Sequence, residues 1–185
     1  KEIEQKLKNG LNNKLNGIDK NQIQEPPLNL VGPLLEKYKY NHDTEILSDM
    51  FISLLANSMD SEKTAEAHPA FVDIISQLSS DEAKLFKSIA TNAICPKLDL
   101  AIENTKDKGY NLVRRNLIGL PLTAGLQFVK HIPAYVDNLQ RLNLISVTYG
   151  SRQEHYKDES IYSNLLEDPL VKSLEKAVDP DKQRI

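Results

Sequence analysis

The sequence has little cysteine: Cys95 is the one cysteine in 185 residues. A single thiol excludes an internal disulfide framework and is typical of a reducing compartment, so we expect a cytoplasmic protein. The sequence has no apolar run that approaches the roughly 20 residues needed to cross a bilayer, and no signal-peptide pattern follows Lys1. The chain opens in helical sequence without Met, which leaves open whether a further segment precedes it.

The sequence also lacks the short motifs that accompany many active sites. It contains no G-x-S-x-G, no G-x-x-x-x-G-K-[ST], and no Cys/His pair at a useful spacing. The histidines are too widely spaced for an H-E-x-x-H arrangement; they are His42, His68, His131 and His155. We therefore expect a protein that is not an enzyme and that has no catalytic residue, metal or cofactor.

The net charge is small and negative, at −3, which argues against a strongly basic nucleic-acid binder. The charge is unevenly spread, however. Asn41–Lys97 carries 4 basic and 9 acidic residues, whereas Leu98–Lys157 carries 8 basic and 5 acidic residues and is therefore locally positive. This second region keeps open the hypothesis that the protein binds the phosphates of a nucleic acid.

Apolar residues recur at helical spacing through much of the chain, which predicts a mainly α fold. Thr44–Asn57 and Ala70–Leu78 each have one apolar face, and a third such helix follows and stops before Pro96. Ser79 and Glu82 have the spacing of a capping box at the start of that third helix. These three helices predict a core and contain no pattern typical of a reaction centre.

The remaining sequence predicts a small β component. Leu98, Leu100 and Ile102 alternate with polar residues, and Tyr110–Val113 can return as the partner strand; a loop with a turn of helix is expected from Asn116 to Phe128. Pro133 opens a helix that Asn143 can end in a left-handed conformation, and Leu144–Tyr149 has strand-like composition. Short helices are expected at Ile161–Leu166 and Pro169–Val178.

The N-terminal segment has a narrower apolar stripe, made by Ile3, Leu7, Leu11, Leu15 and Ile18. It predicts a helix that packs on the domain or on a partner. Composition then predicts four segments: an amphipathic helix over 1–24, a Pro-containing linker with a short helix that Gly32-Pro33 starts over 25–40, a single mainly helical domain over 41–178, and a tail over 179–185.

The order of the elements resembles a winged helix-turn-helix. Ser79–Asp81 would be the turn before the second helix, Ala134–Leu142 would occupy the recognition position, and Leu144–Tyr149 would be the first wing strand. The resemblance departs at Pro96–Ile132, a much longer insertion than a winged helix has between its second and third helices. A helical domain that ends in a helix-to-strand junction, with short hairpins, stays open beside it.

Two longer motifs resemble the Abi-alpha family. The first runs from Leu54-Leu55-Ala56-Asn57-Ser58-Met59-Asp60 into His68-Pro69-x-Phe71-Val72 and on to Gln77-Leu78-Ser79-x-Asp81-Glu82-Ala83; the second is Asn138-Leu139-x-Arg141-Leu142-x-Leu144-Ile145. The resemblance covers nearly the whole chain and implies a bacterial protein connected with abortive infection, a defence against phage. It implies no molecular activity, and it carries over no catalytic residue.

Three function hypotheses follow. The first is a non-catalytic module for protein interaction or self-association, in which the N-terminal apolar stripe is one surface to bury. The second is DNA or RNA binding, for which the candidate residues are Arg114, Arg115, Lys130, Asn138, Gln140 and Arg141. Arginine can bind guanine or phosphate, and Asn and Gln can read base edges. The third is an enzyme with an unrecognised site.

Overall fold

The computed structural model describes residues 2–92, 95–104, 106, 108–119, 125–147, 162–178 and 183–184. It confirms a mainly α fold with a small β component. The elements are α1 (Glu2–Leu15), α2 (Leu28–Asn41), α3 (Glu45–Met59), α4 (Ala70–Ser76), α5 (Ser80–Ala90), β1 (Lys97–Asn104), β2 (Tyr110–Ile118), α6 (Ile132–Arg141), α7 (Ser163–Leu166), α8 (Pro169–Ala177) and β3 (Gln183–Arg184). The chain divides into two compact units, Lys1–Ala83 and Lys84–Ile185. The four-segment division expected from composition stays a prediction.

The core of the first unit lies between α2 and α3. Leu30, Leu34 and Tyr38 follow one another along one face of α2 and are fully buried. The Tyr38 ring meets the Phe51 ring edge-on, with centroids 6.4 Å apart, which is a favoured aromatic geometry. The expected position of Pro33 at a helix start was wrong, because α2 begins at Leu28 and Pro33 lies inside it.

Helix α1 packs against α3 of the same chain. A β-carbon added at Gly10 would lie 2.6 Å from Cδ1 of Ile52, so the two helices approach closely at this glycine. Lys14 Nζ and Asp49 Oδ1 form an ion pair at 2.7 Å beside it. The sequence allowed the N-terminal helix to pack on the domain or on a partner, and the structure places it against another helix of the same chain.

The predicted capping box at the start of α5 is confirmed. The backbone N–H of Ser79 donates to Glu82 Oε2 at 2.7 Å, and the backbone N–H of Glu82 donates to Ser79 Oγ at 3.2 Å. Two N–H groups that the first helical turn leaves without partners are thereby satisfied. The helix itself ends at Ala90, six residues before Pro96.

We expect Ser79→Ala to lower the free energy of unfolding by about 1 kcal/mol, because it removes the acceptor for one N–H at the start of the helix. Urea denaturation of the two proteins would measure the difference. Ser76→Ala is the matched control, since the Ser76 hydroxyl donates to the carbonyl of Asp73 in an exposed hydrogen bond that caps no N–H group. Equal losses for both variants would contradict a capping role.

The β component is a sheet with the strand order β2-β1-β3. The predicted antiparallel pairing of the first two strands is confirmed, but β2 continues to Ile118. The expected loop from Asn116 was therefore wrong for its first three residues. Leu98 pairs with Leu117 and Leu100 pairs with Arg114, so β2 has one more residue than β1 across this interval and bulges there.

Helix α6 begins with Pro133 in its first turn, as predicted, and ends in a Schellman motif. Asn143 has a φ of 55°, and its N–H donates to the carbonyl of Gln140 at 2.9 Å. The N–H of Leu144 donates to the carbonyl of Leu139, also at 2.9 Å. These bonds confirm the predicted left-handed end of the helix.

The expected wing strand was wrong over 144–147, which form no strand; Thr148 and Tyr149 lie outside the described residues. Strand propensity reflects packing on a neighbouring strand more than a backbone preference, and the sheet that the structure describes pairs β1 with β2 and β3. The winged-helix detail of the fold stays a prediction.

The last two helices follow the prediction, although Ile161 lies outside the described residues. Asp168 caps α8 by accepting from the N–H of Leu170 at 2.8 Å. Leu165 of α7 and Val171 of α8 are buried.

Candidate functional site

The structure places Arg115 of β2 in a network with α6. Arg115 Nη2 donates to Asp137 Oδ2 at 2.6 Å. The side-chain amide of Asn116 donates to Asp137 Oδ1 at 3.2 Å and to the carbonyl of Pro133 at 3.3 Å. Both bonds of Asp137 therefore hold α6 against the bulged end of β2.

The same network reaches β1 through the Asn116 backbone. Its N–H donates to Asp99 Oδ1 at 2.8 Å, and Lys97 Nζ donates to the same oxygen at 2.6 Å. Burial raises the pKa of Asp99, but these two hydrogen bonds and the positive charges of Lys97 and Arg115 outweigh burial and hold that pKa below its ordinary value. The ionised Asp99 carboxylate therefore contributes to stability at neutral pH, and this contribution is lost in acid, as the pH falls through the lowered pKa of Asp99.

The other residues of the nucleic-acid hypothesis are placed separately. Asn138 Oδ1 accepts from Arg141 Nε at 3.0 Å and from Arg141 Nη2 at 2.7 Å. Gln140 is half-buried and lies beside 143–147, while Lys130 is exposed in a short 3-10 turn before α6. Arg114 is half-buried, with its Nε buried and not hydrogen-bonded.

The hydrogen bonds of these candidate residues affect how well they could recognise bases. The structure brings Asn138 and Arg141 together, and it pairs Arg115 with a carboxylate. Three of the six candidate side chains, those of Arg115, Asn138 and Arg141, are therefore engaged in hydrogen bonds within the chain. Binding of a nucleic acid by these residues stays a prediction.

Within the described ranges, no group of three or more His, Cys, Asp or Glu side chains could hold a metal ion. In the same residues, no helix is both long and apolar enough to cross a bilayer. Burial raises the pKa of the Cys95 thiol, which disfavours the thiolate that a nucleophile or a metal ligand requires.

The surface of α2 opposite the core carries an apolar line. Leu28 is 86% exposed and Leu35 is 40% exposed, and Gly32 lies between them. Apart from its chain neighbours and the backbone of its own helix, no atom of the described residues lies within 4 Å of a β-carbon added at Gly32. Lys39, also exposed, continues the same line at the end of the helix. The spacings of four, three and four residues put these positions on one side of the helix, here called the outer face of α2.

Sequence reasoning missed this face because α2 has apolar residues on two sides. Leu30, Leu34 and Tyr38 are spaced by four and four residues, and Leu28, Gly32 and Leu35 by four and three, so both sets have helical spacing. Only the structure decides which set is buried. A usable signal was present, however: a helix that is apolar on more than one side has more apolar surface than one core contact covers.

A sequence model of the family described as "Abortive infection alpha" matches residues 1–185, the whole chain. The chain belongs to the abortive infection alpha family. No curated protein and no solved structure matches the chain.

In this abortive infection alpha protein, the motifs that resemble the family are built from caps and core. Asp60 is buried, and its Oδ1 accepts from the N–H of Glu62 at 3.0 Å. His68 Nδ1 accepts from the N–H of Ala70 at 3.1 Å, at the start of α4. These contacts of the central motif stabilise local turns and the start of a helix, and they do not assign a chemical reaction.

Proposed function

We propose that this abortive infection alpha protein is a non-catalytic assembly module of a bacterial phage defence and that it binds protein through the outer face of α2. The observation that carries the proposal is Leu28, which is 86% exposed although the opposite side of the same helix supplies the core. Burial of one such leucine contributes about 1.5–3 kcal/mol, so a partner gains most from covering this position.

Two other apolar surfaces are less suitable for docking. The stripe of α1 lies against α3, as the close approach of Gly10 and Ile52 indicates. Strand β2 also exposes apolar side chains, those of Tyr110, Leu112 and Val113. Its pairing with β1 is irregular, however, because it contains two register shifts. Bulges in an outer strand are a common device against pairing with another chain. The outer face of α2 has neither feature.

Site-specific photocrosslinking tests the proposal. A photoreactive residue at position 28 should give a crosslinked protein adduct in a bacterial host that expresses the chain and is challenged with phage. Position 166 is the matched control, because Leu166 is an exposed leucine, at 46%, on a different helix. Leu28→Glu should remove both the adduct of a nearby crosslinker at position 35 and the protection against phage. Equal crosslinking at positions 28 and 166 would overturn the proposal.

A further inference from the structure

We infer that the protein covering the outer face of α2 is a second copy of this chain, which packs its own α2 antiparallel to the first. The inference rests on the proposed function and adds to it the partner and the orientation. It uses the apolar line, the glycine between the two leucines, and the charges at the two ends of that line.

The outer face is self-complementary about its midpoint. With a helical rise of about 1.5 Å per residue, Leu28 and Leu35 each lie about 5 Å from the point midway between them. A two-fold axis at that point places Leu28 of one copy opposite Leu35 of the other. Each leucine is then covered by a leucine, and the two copies make the contact twice, as an isologous interface requires.

Gly32 allows the two helices to approach closely. A glycine inside a helix is less favourable than alanine. Apart from its chain neighbours and the backbone of its own helix, no described atom lies within 4 Å of a β-carbon added at Gly32, whereas Pro33, the next residue, disfavours a β-carbon in the helical conformation. In the antiparallel arrangement Gly32 lies beside the axis, opposite Val31 of the second copy. The missing side chain lets the leucines on either side reach their counterparts.

The charges at the two ends favour the antiparallel orientation. Glu25 lies three residues before Leu28, in the extended segment that leads into the helix, and Lys39 lies four residues after Leu35; both are exposed. The antiparallel arrangement brings Glu25 of each copy toward Lys39 of the other. A parallel arrangement would instead place the two Lys39 side chains side by side, and the two Glu25 side chains likewise.

A charge-swap series on the full chain tests the orientation. The dissociation constant of the dimer is measured by sedimentation equilibrium for the unmodified protein, Glu25→Lys, Lys39→Glu and the double variant. Each single change should weaken dimerisation by about tenfold, because two symmetric ion pairs become two repulsions, and the double variant should restore it. Glu36→Lys, exposed on the same helix but off the line, should have little effect. A double variant as weak as the singles would overturn the inference.

Gly32→Ala gives a second readout. Its effect on the melting temperature of the monomer balances the better helix propensity of alanine against the clash of a β-carbon with the ring of Pro33. Gly32→Ala should weaken dimerisation, because the added methyl group lies at the axis. A Gly32→Ala protein with unchanged dimerisation would contradict the close helix approach.

The two proposals fail differently. A chain that stays monomeric at every concentration, but crosslinks to another protein from position 28, would overturn the second copy and leave the assembly function standing. A chain that is monomeric and gives no adduct from position 28 would overturn both.

Discussion

Asn116→Ala is expected to lower the free energy of unfolding by about 2–4 kcal/mol. Asn116 is 4% exposed, and its side-chain amide donates to Asp137 and to the carbonyl of Pro133. Removing the amide leaves these acceptors without one donor each, at a cost of about 1–3 kcal/mol. The residue also has a φ of 55°, a conformation that costs alanine roughly 1–2 kcal/mol and that asparagine tolerates better.

Asn116→Gly separates the two contributions. Glycine adopts the positive φ without strain and keeps the backbone N–H that donates to Asp99, but it has no side-chain amide. We expect its stability in urea denaturation to lie between those of the alanine variant and the unmodified protein. Equal stabilities for Gly and Ala would show that the backbone conformation contributes nothing, and an Ala variant as stable as the unmodified protein would contradict a holding role for the network.

The parts of this fold that could be predicted from the sequence are those decided by neighbouring residues. The capping box of Ser79 and Glu82 needs only three residues of spacing, and the left-handed Asn143 needs only the end of its own helix. The alternation of Leu98, Leu100 and Ile102 likewise predicted the first strand. Each of these features is a property of a short segment, so the surrounding fold could not easily override it.

The parts that could not be predicted depend on what lies beside a segment. Asn116 looked like the start of a loop, since its role needs Asp99, Pro133 and Asp137, which are brought to it by two other elements. Leu144–Val147 has the composition of a strand but forms none over those described residues. The candidate site also depends on neighbouring elements. Helix α2 has apolar residues on two sides, and only its packing against the other helices decides which side stays exposed.

The second large effect is expected at two adjacent leucines of α2, one on its buried side and one on its outer face. Leu34→Ala should lower the free energy of unfolding by about 2–5 kcal/mol, because Leu34 is 0% exposed and its removal leaves a cavity in the core. Leu35→Ala removes the same atoms from a side chain that is 40% exposed on the outer face. We expect it to cost the monomer under about 1 kcal/mol and to weaken dimerisation instead.

Each variant thus serves as the control for the other. Chemical denaturation measures the stability, in a Leu28→Glu background that keeps the chain monomeric, and sedimentation measures the dimer in the unmodified background. A loss of stability with unchanged association is expected for position 34 under conditions where the variant stays folded, and the reverse is expected for position 35. If Leu35→Ala lowered stability as much as Leu34→Ala and left association unchanged, the outer face would be part of the fold and not a surface for a partner.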